Sequence, residues 1–370
     1  MIKSFFIHAG FVVIGVLLAF GLVEVSFRTY QSFYNSPKVV SDLQVALQES
    51  TETTLDQIGD TDSLRGLIHP SKFTDIVYEL KPNMRGVFLE KSLSTNQFGM
   101  RGRDTTLRKP AGVIRIAGLG DSVMFGWGVE HENAYLSVVE DRLRNSGHDV
   151  EVLNFAVPGY NTAMEVATFH HRAMAFDPDI VVIHFVSNDL DVPHFMYRAK
   201  ANQDSLAGSR LLGAISKHFK SDKVEDVAFL DVASVRWDHE RLGDVLEEYR
   251  HMAGRRAFMQ AMRQLARSCK EKDIPLIMLL GSHTKLTREA ISNRMAPRMG
   301  FRVIEASDLV DSYFKEQHPG ANKLERGEML WVSDKDSHPN KLGHSLYADA
   351  LTPVLDRIIL ENFEEPFSRS

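Results

Sequence analysis

A chain of 370 residues that is 44% hydrophobic and 25% charged can bury a large core, which excludes a wholly disordered polypeptide and points to one large domain or one and a half. Its formal net charge of -6 argues against a nucleic-acid binder, which carries a basic excess on one face. Cys269, the single cysteine, makes no internal disulfide and offers no thiolate metal cluster, so the fold must stand on packing.

The chain opens with an apolar run at residues 5–23, FFIHAGFVVIGVLLAFGLV, in which His8 is the only potentially charged member. That is long enough to cross a bilayer core as a helix. A signal peptide is the rival reading, but no A-x-A-like cleavage site follows, and VEVSFRTYQSFY continues with Glu24, Arg28 and interfacial tyrosines. We therefore expect an uncleaved transmembrane anchor within residues 1–30. Lys3 and the α-amino group hold the short leading side in the cytoplasm, so the main domain faces outward. Residues 31–75 read as a polar spacer, with QESTETTLDQIGDTDS in the middle. Residues 76–110 mix short strand-like pieces with turn residues and are expected as an outer layer ahead of the core.

From residue 111 to 362 strands and helices alternate, the mark of a parallel sheet. Strands are expected at residues 113–119, 150–157, 179–186, 274–280 and 302–305. Residues 134–146 carry Leu136, Val139 and Leu143 at helical spacing, and a helix over 163–176 opens after Asn161 or Thr162 as its cap. Right-handed crossovers stack helices on both faces of a roughly five-stranded sheet, giving an α/β, three-layer domain. The stretch of about residues 190–270, with a charged helix near 241–270, is too long for a simple crossover and reads as an insertion forming a lid or substrate wall.

In open parallel sheets, sites lie beyond the carboxyl ends of the strands. The first strand ends at GDS with Ser122, the second runs into VPGYNT with Gly159, and the third ends at SNDL with Asn188. SDKDSHPNK introduces the last helix and carries His338 two residues after Asp336. A serine hydroxyl needs an adjacent imidazole to take its proton, and an acid to orient that imidazole. His338 and Asp336 supply both. The Ser122 N–H, the Gly159 N–H and the Asn188 amide are three candidate donors to an oxyanion. Ser122 also reads as the N-cap of a helix after the strand, and Asp121 as a turn-fixing hydrogen-bond acceptor. His170, His171, His184 and His344 lack metal-ligand spacing and read as packing or surface residues. GWGVEHE lacks the lysine and hydroxyl of a phosphate loop and is expected to shape the entrance beside Ser122. Neither a cofactor nor a metal is expected.

Taken in order, these four stretches resemble the blocks of the SGNH/GDSL hydrolase superfamily, over about residues 95–360. The resemblance extends to membrane-anchored bacterial members associated with exopolysaccharide, which carry N..G.RG ahead of the first block; Asn96, Gly99, Arg101 and Gly102 match it. It implies a flavodoxin-like domain on the periplasmic side of an inner membrane, with Ser122 as nucleophile, His338 as base, and Ser122, Gly159 and Asn188 as oxyanion hole. Two positions depart from the family: Val186 stands where a glycine is usual, and Lys335 where the acid often stands, so that Asp336 and Asp334 flank the slot. Asp336 is the preferred acid. The implied activity is a serine esterase acting on acyl, above all acetyl, esters of envelope or exported polysaccharide, or an O-acyltransferase using the same acyl-enzyme. A non-catalytic anchored subunit of an envelope assembly is the alternative of another class.

Overall fold

In the computed structural model, which describes residues 64–197, 229–231, 247–281 and 285–363, five short aliphatic runs form one parallel sheet. They are β1 (Ile114–Leu119), β2 (Val150–Asn154), β3 (Ile180–Phe185), β4 (Leu276–Leu280) and β5 (Arg302–Glu305). The chain divides into residues 1–51 with 197–228 and residues 52–196 with 229–370, and the sheet belongs to the second unit. The expected anchor and most of the spacer lie outside the described residues. Among the described residues, no helix is long and apolar enough to cross a membrane.

The strand order is β5-β4-β3-β1-β2, the flavodoxin-like arrangement, with Ile116 opposite Ile180 and Leu280 opposite Phe185. Every residue of β1 and β3 is buried, because helices cover both faces of the sheet centre. On β1, Ala117 and Leu119 join a core cluster with Phe169 of α2 (Thr162–His171) and Leu265 of α3 (Gly254–Glu271). The intervening Gly118 lies under Leu136 of α1 (Tyr135–Asn145), which packs on the long final helix, α6 (Lys341–Asn362). Between β5 and α6 lie α4 (Ala306–Gln317) and α5 (Lys323–Leu330). Ahead of β1, two antiparallel hairpins pair Ile68–Pro70 with Tyr78–Leu80 and Arg85–Phe88 with Lys91–Ser94.

The second strand is regular only as far as Asn154, short of its apolar run. The Asn154 Oδ1 accepts the Ala156 N–H at 3.1 Å and its Nδ2 donates to the Met124 carbonyl at 3.2 Å, while the Phe155 and Val157 N–H groups still reach the Gly118 and Gly120 carbonyls at 2.9 and 3.1 Å. Asn161 caps α2, its Oδ1 accepting the Met164 N–H at 3.0 Å. The charged helix assigned to the insertion has a different place. Only its outward face is charged, while Phe258, Ala261, Met262, Leu265, Ala266 and Cys269 are buried, so α3 is the crossover between β3 and β4 and not part of a lid. It begins at residue 254 because Ala253 is extended and Gly254 takes a φ of +80°, which breaks the helical path upstream.

Arg115 interrupts β1 and is fully buried. Its guanidinium donates to Glu151 at 2.8 Å and to the carbonyls of Thr106, Leu107 and Phe176 at 2.6, 3.0 and 2.8 Å, stitching the approach segment to the sheet. Removing it leaves those acceptors unpaired. Arg115→Met is expected to cost about 3 kcal/mol of folding stability, read as a lower urea midpoint at unchanged slope.

Candidate active site

Past Leu119, Gly120 and Asp121 lead into a single helical turn, Ser122–Phe125, which Gly126 closes in the left-handed conformation. Asp121 caps it, Oδ1 accepting the Val123 N–H at 3.0 Å. Ser122 is thus the first residue of the turn, where an N–H has no carbonyl of its own helix to meet.

The Ser122 hydroxyl faces His338, whose Nε2 lies 2.8 Å from Oγ. His338 stands on the loop between α5 and α6, and Asn340 fixes that loop from both sides. Its Oδ1 accepts the Leu342 and Gly343 N–H groups at 2.9 and 3.2 Å, capping α6, while its Nδ2 donates to the Met329 and Trp331 carbonyls at 2.8 and 3.0 Å. On the far side of the imidazole, Nδ1 lies 2.5 Å from Asp336 Oδ1, which also accepts the His338 backbone N–H at 3.1 Å. The Trp127 indole N–H donates to Asp336 Oδ2 at 2.9 Å, and its ring stacks on the imidazole with centroids 5.0 Å apart. Of the two acids flanking the family slot, Asp336 is therefore the one against His338, and Asp334 is exposed. Partial burial alone would raise the Asp336 carboxyl, but the hydrogen bonds from the His338 backbone and ring, its charge, and the Trp127 N–H outweigh it and hold the group below its usual value.

Asn188 sits on a 3-10 turn, Ser187–Leu190, directly after β3. Its side-chain amide donates to Asp121 Oδ2 at 2.9 Å. Asp121 is buried and its pKa raised by burial, although bonds from Asn188 and Val123 oppose the shift. Asp189 anchors the same turn from behind, accepting the Val186 N–H at 2.5 Å and the Thr162 hydroxyl at 3.0 Å. Glu165 of α2 is buried among these carboxylates, and burial, with the charges of Asp189 and Asp121, drives its pKa well above the ordinary value.

Ser122, Asn188 and His338 line one cleft of about 1300 Å³. Val123, Val186, Gly281 and Tyr347 also line it, as do Arg288, Asp311, Lys323, Arg326 and Trp331. Gly159, by contrast, is not among the lining residues. It lies in the loop after β2 with a φ of +78°, and a side chain there would collide with His194 and the Tyr78 hydroxyl, so its position demands glycine for packing reasons. His184 and His344 are buried, with burial pushing each down to about 3, and both hydrogen-bond Tyr135. Among the described residues, no group of His, Cys, Asp and Glu is placed to hold a metal ion.

Three partners escape sequence reasoning: Trp127, Glu165, and the Asn188–Asp121 bond. For Trp127 the available signal is an aromatic residue between two glycines; for Glu165 it is an acid on the buried face of α2, where Met164 and Val166 flank it.

A family model described as the GDSL-like Lipase/Acylhydrolase family matches residues 119–346. No curated protein matches the chain. Similar solved structures include the lipase/acylhydrolase from Enterococcus faecalis, at 12% identity over 66% of this chain and 96% of that one, with a TM-score of 0.39. A two-domain esterase active on acetylated mannans is 16% identical over 70% of this chain and 54% of its own, with a TM-score of 0.40. The acetyl xylan esterase AlAXEase is 13% identical over 65% of this chain and 100% of its own, also at 0.40.

Burial holds the folded Glu165 carboxyl well above the 4.5 of an unperturbed glutamate, so the fold binds this proton more tightly than the unfolded chain does. Folding takes up that proton, so this group's contribution to stability falls as pH rises toward its raised folded value, by at most about 1.4 kcal/mol per pH unit. Glu165→Gln keeps the shape without the proton. Its melting temperature is expected to decline less than that of the wild type as pH rises above about 4.5, and parallel declines would contradict the assignment.

Proposed function

The chain belongs to the GDSL-like lipase/acylhydrolase family, and on that footing we propose that it is a serine esterase removing acyl groups, acetyl above all, from envelope or exported polysaccharide. Membership makes it an ester hydrolase of the SGNH/GDSL type; the substrate, the residue roles and the anchoring are our reading. The observation that carries it is the continuous hydrogen-bonded line from Ser122 through His338 to Asp336.

In this mechanism His338 Nε2 takes the Ser122 proton as Oγ attacks the ester carbonyl, and Asp336 holds the ring and stabilises the imidazolium that forms. The developing oxyanion is met by the Ser122 N–H and the second Asn188 amide hydrogen. In this reading the Gly159 N–H, on the loop after β2, is the third donor of the expected hole. His338 then returns its proton to the departing sugar oxygen, leaving Ser122 acylated. Water, activated by the same imidazole, releases the acid; a sugar hydroxyl in its place makes the reaction an acyl transfer.

The lining of the cleft supports a hydrated substrate. Arg288, Asp311, Lys323 and Arg326 present charge, and Trp331 an aromatic ring, which suit a glycan better than a long acyl chain. The apolar run at residues 5–23 and Lys3 support an enzyme anchored by its N-terminal helix, with its catalytic unit on the periplasmic side of a bacterial inner membrane.

A fluorophosphonate probe is expected to label the wild type and not Ser122→Ala, and acetate release from an acetylated oligosaccharide is expected to fall at least about a thousandfold in that variant. Retained labelling or turnover in Ser122→Ala would sink the reading. Acetate release measured with and without an acceptor glycan separates hydrolysis from transfer.

A further inference from the structure

The loop after the Ser122 turn, Gly126-Trp127-Gly128, is held more firmly than an entrance loop requires. Arg101, from the RG pair that precedes the first block, is buried. One arm of its guanidinium donates to the carbonyls of Phe125 and Gly126 at 3.2 and 2.5 Å, and the other to Val129 at 2.6 Å. The carbonyls on both sides of Trp127 are thereby pinned by one planar cation, whose fork is rigid where a lysine would be a point charge. Phe88, at the end of its hairpin strand, meets the Trp127 ring edge-on with centroids 4.9 Å apart. Gly128 completes the seat: at a φ of +70° it brings the backbone so close to Val332 that an added Cβ would lie 2.7 Å from the valine side chain.

We propose that Trp127 is a positioning residue for the Asp336–His338 pair, fixed in place by Arg101. It acts on the pair in two ways. The indole N–H occupies Asp336 Oδ2, so that Oδ1 alone is left for the imidazole, and the ring lies against the imidazole and limits its rotation. Asp336 is on a solvent-facing loop and carries no other side-chain donor besides His338 among the contacts described. Without Trp127 the carboxylate is free to swing about its own bond and present either oxygen, and the imidazole loses its fixed line to Ser122. The N..G.RG signature then has a physical meaning in this chain: its arginine mounts the tryptophan that mounts the acid.

The proposal rests on the esterase reading for its kinetic consequence, but its geometry is testable without turnover. In the full chain, the proton between His338 Nδ1 and Asp336 gives a downfield NMR resonance, assigned by its loss in Asp336→Asn. Trp127→Phe keeps an aromatic ring and removes only the donor, and is expected to shift or broaden that resonance while the melting temperature stays close to the wild type. With an acetyl ester, its kcat is expected to fall about ten- to a hundredfold at an unchanged KM, as for one lost hydrogen bond to a charged group. The same substitution is expected to cost nothing further in an Asp336→Asn background, since its effect passes through that carboxylate. Arg101→Lys, which cannot span the three carbonyls, should show the same kinetic pattern to a smaller degree. An unmoved resonance, or equal kcat losses in both backgrounds, would overturn the positioning role. A moved resonance in a protein that no fluorophosphonate labels would leave the role standing and remove the esterase reading instead.

Discussion

One buried carboxylate ties the two central strands together at their carboxyl ends. Asp121 follows β1 and Asn188 follows β3, and the 2.9 Å bond between them fixes the nucleophile turn to the turn that carries the amide. A buried acid is expensive to desolvate, and it is tolerated here because each of its oxygens is used: one by the Val123 N–H, the other by Asn188, with the Ser122 hydroxyl also within 3.4 Å. The parallel order of the sheet is what makes this possible. β1 and β3 are neighbours although some sixty residues of chain and one further strand lie between them, so two short turns are presented side by side at the switch point of the strand order.

Much of this was legible in the sequence, for a definite reason. Strands covered on both faces are written as unbroken aliphatic runs, and the helix of residues 134–146 announces itself through Leu136, Val139 and Leu143. Ser122, Asn188 and His338 fall where an apolar run stops or a helix starts, which is where a parallel sheet opens its site. What could not be read is the network that crosses between segments. Nothing local to Trp127 says that it meets Asp336 more than two hundred positions away, and nothing local to Arg115 says that a strand interior holds a guanidinium. The charged helix departs from its expected place for the same reason. Its outward charges dominate the composition, whereas its fate is set by the apolar stripe from Phe258 to Cys269 that lies under the sheet. Gly159 shows the opposite difficulty: its glycine is demanded by His194 and Tyr78, a packing need that sequence cannot separate from a role in binding.

Buried polar groups elsewhere in the domain follow a common rule. Arg115 and Arg101 each gather several backbone carbonyls, so that a costly group becomes a clamp on segments without regular structure. Glu165 differs in that burial raises its pKa and so favours its neutral form, as burial favours the neutral rings of His184 and His344 by lowering theirs.

The two helical layers divide the site between them. His338 hangs from the cap of α6, which packs on α1, whereas the turn bearing Asn188 is braced by Thr162 at the start of α2 on the opposite face. In the reading proposed above, the imidazole and the amide therefore hang from separate slabs of the sandwich, joined across the sheet by the Asp121–Asn188 bond. Drift in one slab is then felt by the other through that single bond, so the scaffold retunes its two halves together and not one at a time.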